Sequence, residues 1–378
     1  MKGFRKIVVA SDSFKGSMSS LDVAVAAKSA IESLCPGCET VMVPVADGGE
    51  GTAEAVTLAC GGTTRTIAAS DPLGRIVEAS YGVIDGGKTA VIDTASASGL
   101  PLLSRLELNP LKASTFGTGE LILDAVRSGC TTVLVGLGGS ATNDGGMGML
   151  CALGYRFLDA DGNALPGCGE SLEKVVSIDA SSVPSEVGNT RFRVACDVDT
   201  PFCGPDGASE VFAPQKGADS AMVKRLDAGM TSFASVIEKH TGTDISRMEG
   251  TGAAGGLGGA FRAFLGAELL PGIEMVLEAV GFDGRLDGAD LVITGEGKMD
   301  SQTLKGKTPY GILSHAKAAG IPVAAMCGKC LDRDTLLDAG FLRIDEIAPA
   351  GMTLEQMMEP STAKNNVRNT VKRIILEL

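Results

Sequence analysis

KIVVASDSFKGSMSSLDVAVAAKSAIESLCPGCETVMVPVADGGEGT, residues 6–52, decides how the chain is built. Ile7 to Ala10 is a short apolar run of strand type. Ser19 with Asp22 three residues on is a capping-box signature, and it opens a helix whose Val23, Ala27, Ile31 and Leu34 share one face. Cys35-Pro36-Gly37 stops that helix, because proline has no N–H to donate to the carbonyl of the preceding turn. Thr40 to Val45 reads as a second strand, and Asp47-Gly48-Gly49-Glu50-Gly51-Thr52 leads into a helix that ends at Gly61-Gly62. Strand, helix, strand, helix is the grammar of crossover connections, so the sheet is predicted to be parallel here.

From about residue 66 the grammar changes. Val77 to Val83 and Lys88 to Asp93 flank Asp85-Gly86-Gly87 as an antiparallel hairpin. A strand Thr131 to Val135, a helix near Met147 to Leu153, a hairpin around Asp159-Ala160-Asp161-Gly162 and a strand Phe192 to Ala195 follow, and a Gly-rich segment at 251–259 precedes a further helix. Parallel grammar returns near 285, with strands Leu291 to Thr294 and Val323 to Met326, a helix between them and a last helix ending at Leu378. The expected fold is α/β with two α/β domains. A discontinuous Rossmann-like parallel-sheet domain is built from 1–65 and 285–378, and a mixed-sheet domain, 66–284, is inserted in it.

Length agrees, since 378 residues exceed the roughly 250 to 300 at which one hydrophobic core stops growing. A formal charge of -13 makes nucleic acid and anionic membranes poor partners, so an anionic ligand must be held by local lysines or backbone N–H groups. The four-residue apolar run before Ser11 is too short for a secretion signal, and no stretch approaches the ~20 apolar residues of a membrane span. Ten scattered cysteines read as reduced thiols, which places the chain in the cytoplasm. Cys35/Cys38 and Cys327/Cys330 have zinc or redox spacing, but each pair falls at a turn where small residues are expected anyway.

Several strands end in an acid, small polar residues and glycines: Ser11-Asp12-Ser13-Phe14-Lys15-Gly16, Asp47 to Gly51, Asp197-Val198-Asp199 and Glu296-Gly297-Lys298-Met299-Asp300. In an open parallel sheet the carboxyl ends share one edge where ligands bind, so these acids and lysines converge. Any one of them alone is more simply a cap or turn residue.

Gly136 to Gly146, GLGGSATNDGG, follows a strand and precedes a helix, the setting in which backbone N–H groups cradle phosphate. Tight packing is the plainer reading of such a run. Gly136, Gly138 and Ala141 also approximate a dinucleotide fingerprint with Asp159 as its ribose acid, which leaves a nicotinamide oxidoreductase as an alternative. SQTLKGKT, 301–308, ends like a Walker loop but lacks its leading glycine, so Lys305 and Lys307 read as loop cations. The two histidines, His240 and His315, are not placed beside a Ser or Cys nucleophile. Carboxylates, lysines and Gly-rich loops without histidine are the equipment of magnesium-assisted phosphoryl transfer.

The strings SDSFKGSMSS (11–20), PVADGGEGT (44–52), GLGGSATNDGGMGML (136–150), ACDVDTPFCGPDGA (195–208), APQKGA (213–218), GTGAAGGLGGA (250–260) and TGEGKMDSQTLKGKTP (294–309) resemble the bacterial glycerate kinase family in order and over nearly the whole chain. The resemblance implies two α/β domains with the active site in the cleft between them, ATP with Mg²⁺ as donor, and D-glycerate as acceptor with 2-phosphoglycerate the usual product. On that footing Asp197 is expected as the base with Asp47 next, and Lys15 on the glycerate carboxylate or the migrating phosphoryl. Ser11, Asp12, Ser13, Gly48, Gly49 and Lys216 are expected around substrate. Gly138, Gly139, Ser140, Thr142, Asn143 and Gly145 are expected on the nucleotide, and Asp144, Asp199, Glu296 and Asp300 on magnesium. A sugar-acid sensor without turnover is the reading from another class, and it needs fewer acids facing an anion.

Overall fold

The structure, a computed structural model, describes residues 3–349 and 351–378. In chain order its strands are β1 Lys6–Val9, β2 Glu39–Met42, β3 Thr63–Ser70, β4 Ile76–Ile84, β5 Thr89–Asp93, β6 Thr132–Gly136 and β7 Arg156–Leu158. They continue with β8 Ser177–Asp179, β9 Arg191–Ala195, β10 Glu268–Leu270, β11 Leu291–Met299, β12 Val323–Cys330 and β13 Arg343–Glu346.

Two compact units divide the chain. The first takes the segment ending at Asp47, residues 58–60 and Ile273–Leu378, and the second takes 48–57 and Gly61–Gly272. The junctions therefore fall at 47/48 and 272/273, against 65/66 and 284/285 from sequence. The shift has a local cause. Asp93 of the second unit accepts the N–H groups of Gly51 and Ala53, at 2.9 and 3.0 Å, so the loop after Asp47 is tied into that unit well before antiparallel grammar begins.

The first unit holds a five-stranded sheet, order β13-β12-β11-β1-β2, parallel throughout as its crossover grammar requires. The helix Ser20–Leu34 starts where the cap predicts, with Ser19 Oγ accepting the Asp22 N–H at 3.1 Å. Its buried Val23, Ala27 and Ile31 share a core with Val367, Val371 and Ile374 of the last helix, Pro360–Glu377. Lys364 also reaches Asp22 at 2.7 Å. A buried aliphatic side chain contributes about 1.5 to 3 kcal/mol and an exposed ion pair about 1 at most, so the apolar seam holds the two chain ends together.

In the second unit a six-stranded sheet has the order β10-β9-β6-β5-β4-β3, with β10, β9, β6 and β5 parallel and β4 and β3 antiparallel. The mixed sheet and the β4–β5 hairpin are borne out. β3 was not foreseen, because TTRTIAAS is a mostly exposed edge strand and lacks the alternation that marks a half-buried one. The hairpin expected around 159–162 forms, but it is short. Its turn closes, with the Gly162 N–H on the Asp159 carbonyl at 3.1 Å, but the return strand makes one bridge, Leu158 to Ala164, before Pro166. β7 pairs instead with β8. No helix among the described residues is long and apolar enough to cross a membrane.

Candidate active site

β2, β1 and β11 are neighbours in that order, and their carboxyl ends bring three acids together, Asp47, Asp12 and Glu296. Asp12 is buried behind β1, its Oδ1 accepting the Ser13 N–H at 2.6 Å. Burial and the nearby Asp47 push its carboxyl up to about 6. Glu296, on β11, is pushed up to about 7 by burial, with Thr303 and Lys307 opposing and Asp12 and Asp47 reinforcing the shift. Thr303 Oγ1 donates to Glu296 Oε1 at 2.7 Å, which fixes the side chain. Lys15 is exposed and lies 3.7 Å from Asp47. The turn that presents it, Phe14 to Met18, closes through a two-residue bridge with Gly16 at φ +81°. Low-dielectric surroundings and like charges raise carboxyls in this way, and functional sites concentrate such groups.

A crevice of about 950 Å³ opens at this edge, lined at one end by Asp12, Lys15, Asp47, Glu296 and Lys307. Ser13 and Lys298 also line it. Ser11 does not serve as a ligand group: it is buried, and its hydroxyl donates to the Asp12 and Gly295 carbonyls. Asp300 is likewise committed, accepting the Gln302 N–H at 3.0 Å and pairing with Lys298 at 2.7 Å to close the turn that carries Thr303.

In the second unit the carboxyl edge carries Asp93, Gly138, Asp197 and Gly272. Asp197 is exposed, and its Oδ1 accepts the Gly272 N–H at 2.8 Å, so the carboxylate has a fixed orientation. Asp199 is exposed two residues further on. Gly48 is buried here because a Cβ would come within 2.8 Å of the Gly272 α-carbon; Gly49 is half-buried.

The Gly-rich loop is filled by protein, which corrects most of the nucleotide contacts expected of it. Ser140 is buried and bridged to Gly99, and Thr142, Asn143 and Gly145 are buried too. A Cβ on Gly145 would meet the Phe233 ring, and Gly255 packs so close that its Cβ would lie 2.7 Å from the Asn143 α-carbon. Asn143 Nδ2 donates to Ser209 at 3.1 Å. Half-buried Gly138 and exposed Gly139 are the open part.

Asp144 is not placed to ligate magnesium. It is fully buried, and Oδ2 accepts the Thr115 N–H, the Thr115 hydroxyl and the Gly148 N–H at 2.8 to 3.1 Å, while Oδ1 accepts the Gly146 N–H at 3.0 Å. Burial raises its pKa and these donors oppose the rise.

Lys216 is not a surface cation for substrate either. It is 1% exposed, and its ammonium nitrogen donates to Ser140 Oγ at 3.0 Å and to the Thr142 carbonyl at 2.6 Å, bracing the loop from beneath. Burial pulls its pKa down to about 7, against the pull of Asp144. Between pH 7 and the ordinary lysine range near 10.5 the unfolded chain binds a proton that the folded chain does not, so this group makes the fold more stable as pH rises across that window. Urea midpoints of the native chain and Lys216→Met at pH 7 and pH 9.5 are expected to move apart in favour of the native chain at the higher pH. A constant difference would show that Lys216 is charged in the fold.

Sequence reasoning missed Asp93, which burial pushes up to about 7 and which receives the N–H groups of Gly51 and Ala53. It carries the same signal as the acids that were read, an Asp closing an apolar strand. Asp159 is occupied by its own turn, accepting from Asp161 and Asn163, and β6 is flanked by β5 and β9, so β7 does not complete a dinucleotide-binding unit beside it. His240 stacks on Phe264, and His315 pairs with Asp283 and Glu274. Cys35, Cys38, Cys327 and Cys330 are thiols.

Acids and lysines at the carboxyl edge of a parallel sheet, with both histidines engaged elsewhere, define an α/β protein of the phosphotransferase type. The chain belongs to the glycerate kinase family, which it matches over residues 7–378. It is 44% identical over 355 residues to a glycerate kinase of Bacillus subtilis (strain 168), covering 94% of this chain and 93% of that one. Against the glycerate 2-kinase of Escherichia coli (strain K12) the identity is 46% over 327 residues, 86% of each chain. A crystal structure from Salmonella typhimurium LT2 that bears the glycerate kinase 2 name superposes with a TM-score of 0.90 at 41% identity, covering 99% of this chain and 98% of that one.

Proposed function

We propose that this chain transfers the terminal phosphoryl group of ATP to the 2-hydroxyl of D-glycerate, with magnesium on the phosphates, in the cytoplasm. The observation that carries the reading is the gathering of Asp12, Asp47 and Glu296 with Lys15 and Lys307 in one crevice. Identity of 46% with a protein named glycerate 2-kinase supports the 2-hydroxyl over the 3-hydroxyl.

The residues fit magnesium in the manner usual for phosphate-bound Mg²⁺, which takes one or two carboxylates and completes its shell with phosphate oxygens and water. Among the described residues no three acids, histidines or cysteines form a ready-made cage. Asp12 and Glu296 have carboxyls raised by burial and by neighbouring acids, so a cation there would relieve their repulsion. When bound, magnesium neutralises charge on the phosphates during transfer.

Lys15 and Lys307 balance the anionic charge of the ligands, Lys15 on the glycerate carboxylate or the migrating phosphoryl. Asp197, oriented by the Gly272 N–H, takes the proton of the acceptor hydroxyl. Phosphorus-31 NMR of the purified chain with ATP, Mg²⁺ and D-glycerate is expected to give a glycerate-dependent phosphomonoester doublet as ADP appears. The doublet arises because a 2-phosphate is bonded through a CH. A triplet, from a CH₂, would move the product to the 3-phosphate, and no new signal would reject the kinase reading.

A further inference from the structure

The acidic end of the crevice in the first unit continues into an apolar end that the chemistry of glycerate does not use. Glycerate has three carbons, two hydroxyls and a carboxylate, and so offers almost no apolar face. Yet Ile347, Pro349, Leu354, Met357 and Met358 line the crevice where β13 ends and the short helix Leu354–Met358 begins. Leu354 is 73% exposed and Met358 37%, so two large apolar side chains stand open to solvent beside buried acids. Neighbouring exposed apolar side chains in a concave site mark a ligand surface, and methionine adapts its shape to flat apolar ligands.

Topology makes this an edge of the kind where open parallel sheets receive ligands. β1 has β2 on one side and β11, β12 and β13 in succession on the other. The connections after β1 and β11 therefore run in opposite directions, and the crevice opens at their divergence, where open parallel sheets bind ligands. Its volume of about 950 Å³ suits a nucleotide, and Lys15, Lys298, Lys307 and Lys329 lie along it. In the Gly-rich loop of the second unit Gly145 and Gly146 admit other parts of the chain, and the open part is Gly138 and Gly139.

We propose that the purine of ATP packs on Ile347, Pro349, Leu354 and the two methionines, with its phosphates pointing along the crevice toward Lys15 and Lys307. This rests on the reading of the chain as an ATP-dependent kinase and adds to it which unit holds the base. The acids at the far end then face the terminal phosphate, which gives the two ends of the crevice one linear occupant.

Photolabelling of the full chain with 8-azido-ATP tests it, because the apolar wall falls in a single tryptic peptide, 344–364, and the Gly-rich loop in another, 128–156. ATP-protected label in 344–364 is expected. Calorimetry with ATP and with inorganic tripolyphosphate separates base from phosphates: Leu354→Asp, at an exposed position, is expected to weaken ATP at least tenfold and leave tripolyphosphate within threefold. Label confined to 128–156, or an unchanged ATP affinity in Leu354→Asp, overturns the assignment and leaves the kinase reading standing. Absence of any ATP binding to the native chain overturns both.

Discussion

Asp197→Asn is expected to lower kcat by roughly 10² to 10⁴-fold, the range a positioned general base contributes. The substitution is conservative where structure is concerned. Asn Oδ1 still accepts the Gly272 N–H that holds Asp197 at 2.8 Å, so the loop after β9 and the start of the helix Gly272–Ala279 keep their geometry. What is lost is the ability to take a proton. ATP affinity is expected to stay within twofold, so the defect appears in kcat and not in nucleotide binding. Asp47 is the competing base. It sits 3.7 Å from the Lys15 ammonium. Steady-state kinetics of Asp197→Asn and Asp47→Asn side by side decide between them. Near-normal turnover in the first with collapse of the second would reverse the assignment.

The fold was largely legible because its signals are local. A cap at Ser19, a stop at Cys35-Pro36-Gly37 and apolar strands that alternate with helices need no knowledge of distant residues. The edge strand β3 escaped because it buries too little to carry a pattern, and the domain junctions shifted because Asp93 reaches back to Gly51 and Ala53. The site was less legible, for a related reason. Asp12 and Asp144 look alike in sequence, an acid among small residues after a strand, and what separates them is what comes to meet them from elsewhere. Asp12 meets other acids, Asp47 and Glu296, and accepts one N–H, that of Ser13. Asp144 meets four donors and is used up. Glycines carry the same ambiguity, since a missing Cβ admits a phosphate or another loop equally well, and Gly145 and Gly255 serve the loop. Lys216 was expected around substrate because the groups that accept its protons, Ser140 and Thr142, lie far away in sequence.

Asp144→Ala follows from that distinction, and its expected effect is on the fold. Removing the carboxylate leaves the Thr115 N–H and hydroxyl and the Gly146 and Gly148 N–H groups without their acceptor in a site closed to water. It also takes away the negative charge that opposes the loss of the Lys216 proton. Breaking a buried charged set by deleting one member costs about 3 to 5 kcal/mol, a large share of the total stability of an ordinary domain. The expected result is an unfolding free energy lowered by that amount, read as a lower urea midpoint, or a chain that does not accumulate folded. Asp144→Asn isolates the cause: it restores the volume and one acceptor oxygen but places an NH₂ against the remaining donors, so it recovers only part of the loss. A magnesium ligand would behave otherwise. Its removal would leave the urea midpoint near that of the native chain and raise the magnesium concentration needed for half-maximal turnover. Measuring both quantities in Asp144→Asn separates the roles, because a braced loop predicts a lower midpoint with unaltered magnesium dependence, and the reverse pattern would return Asp144 to the metal.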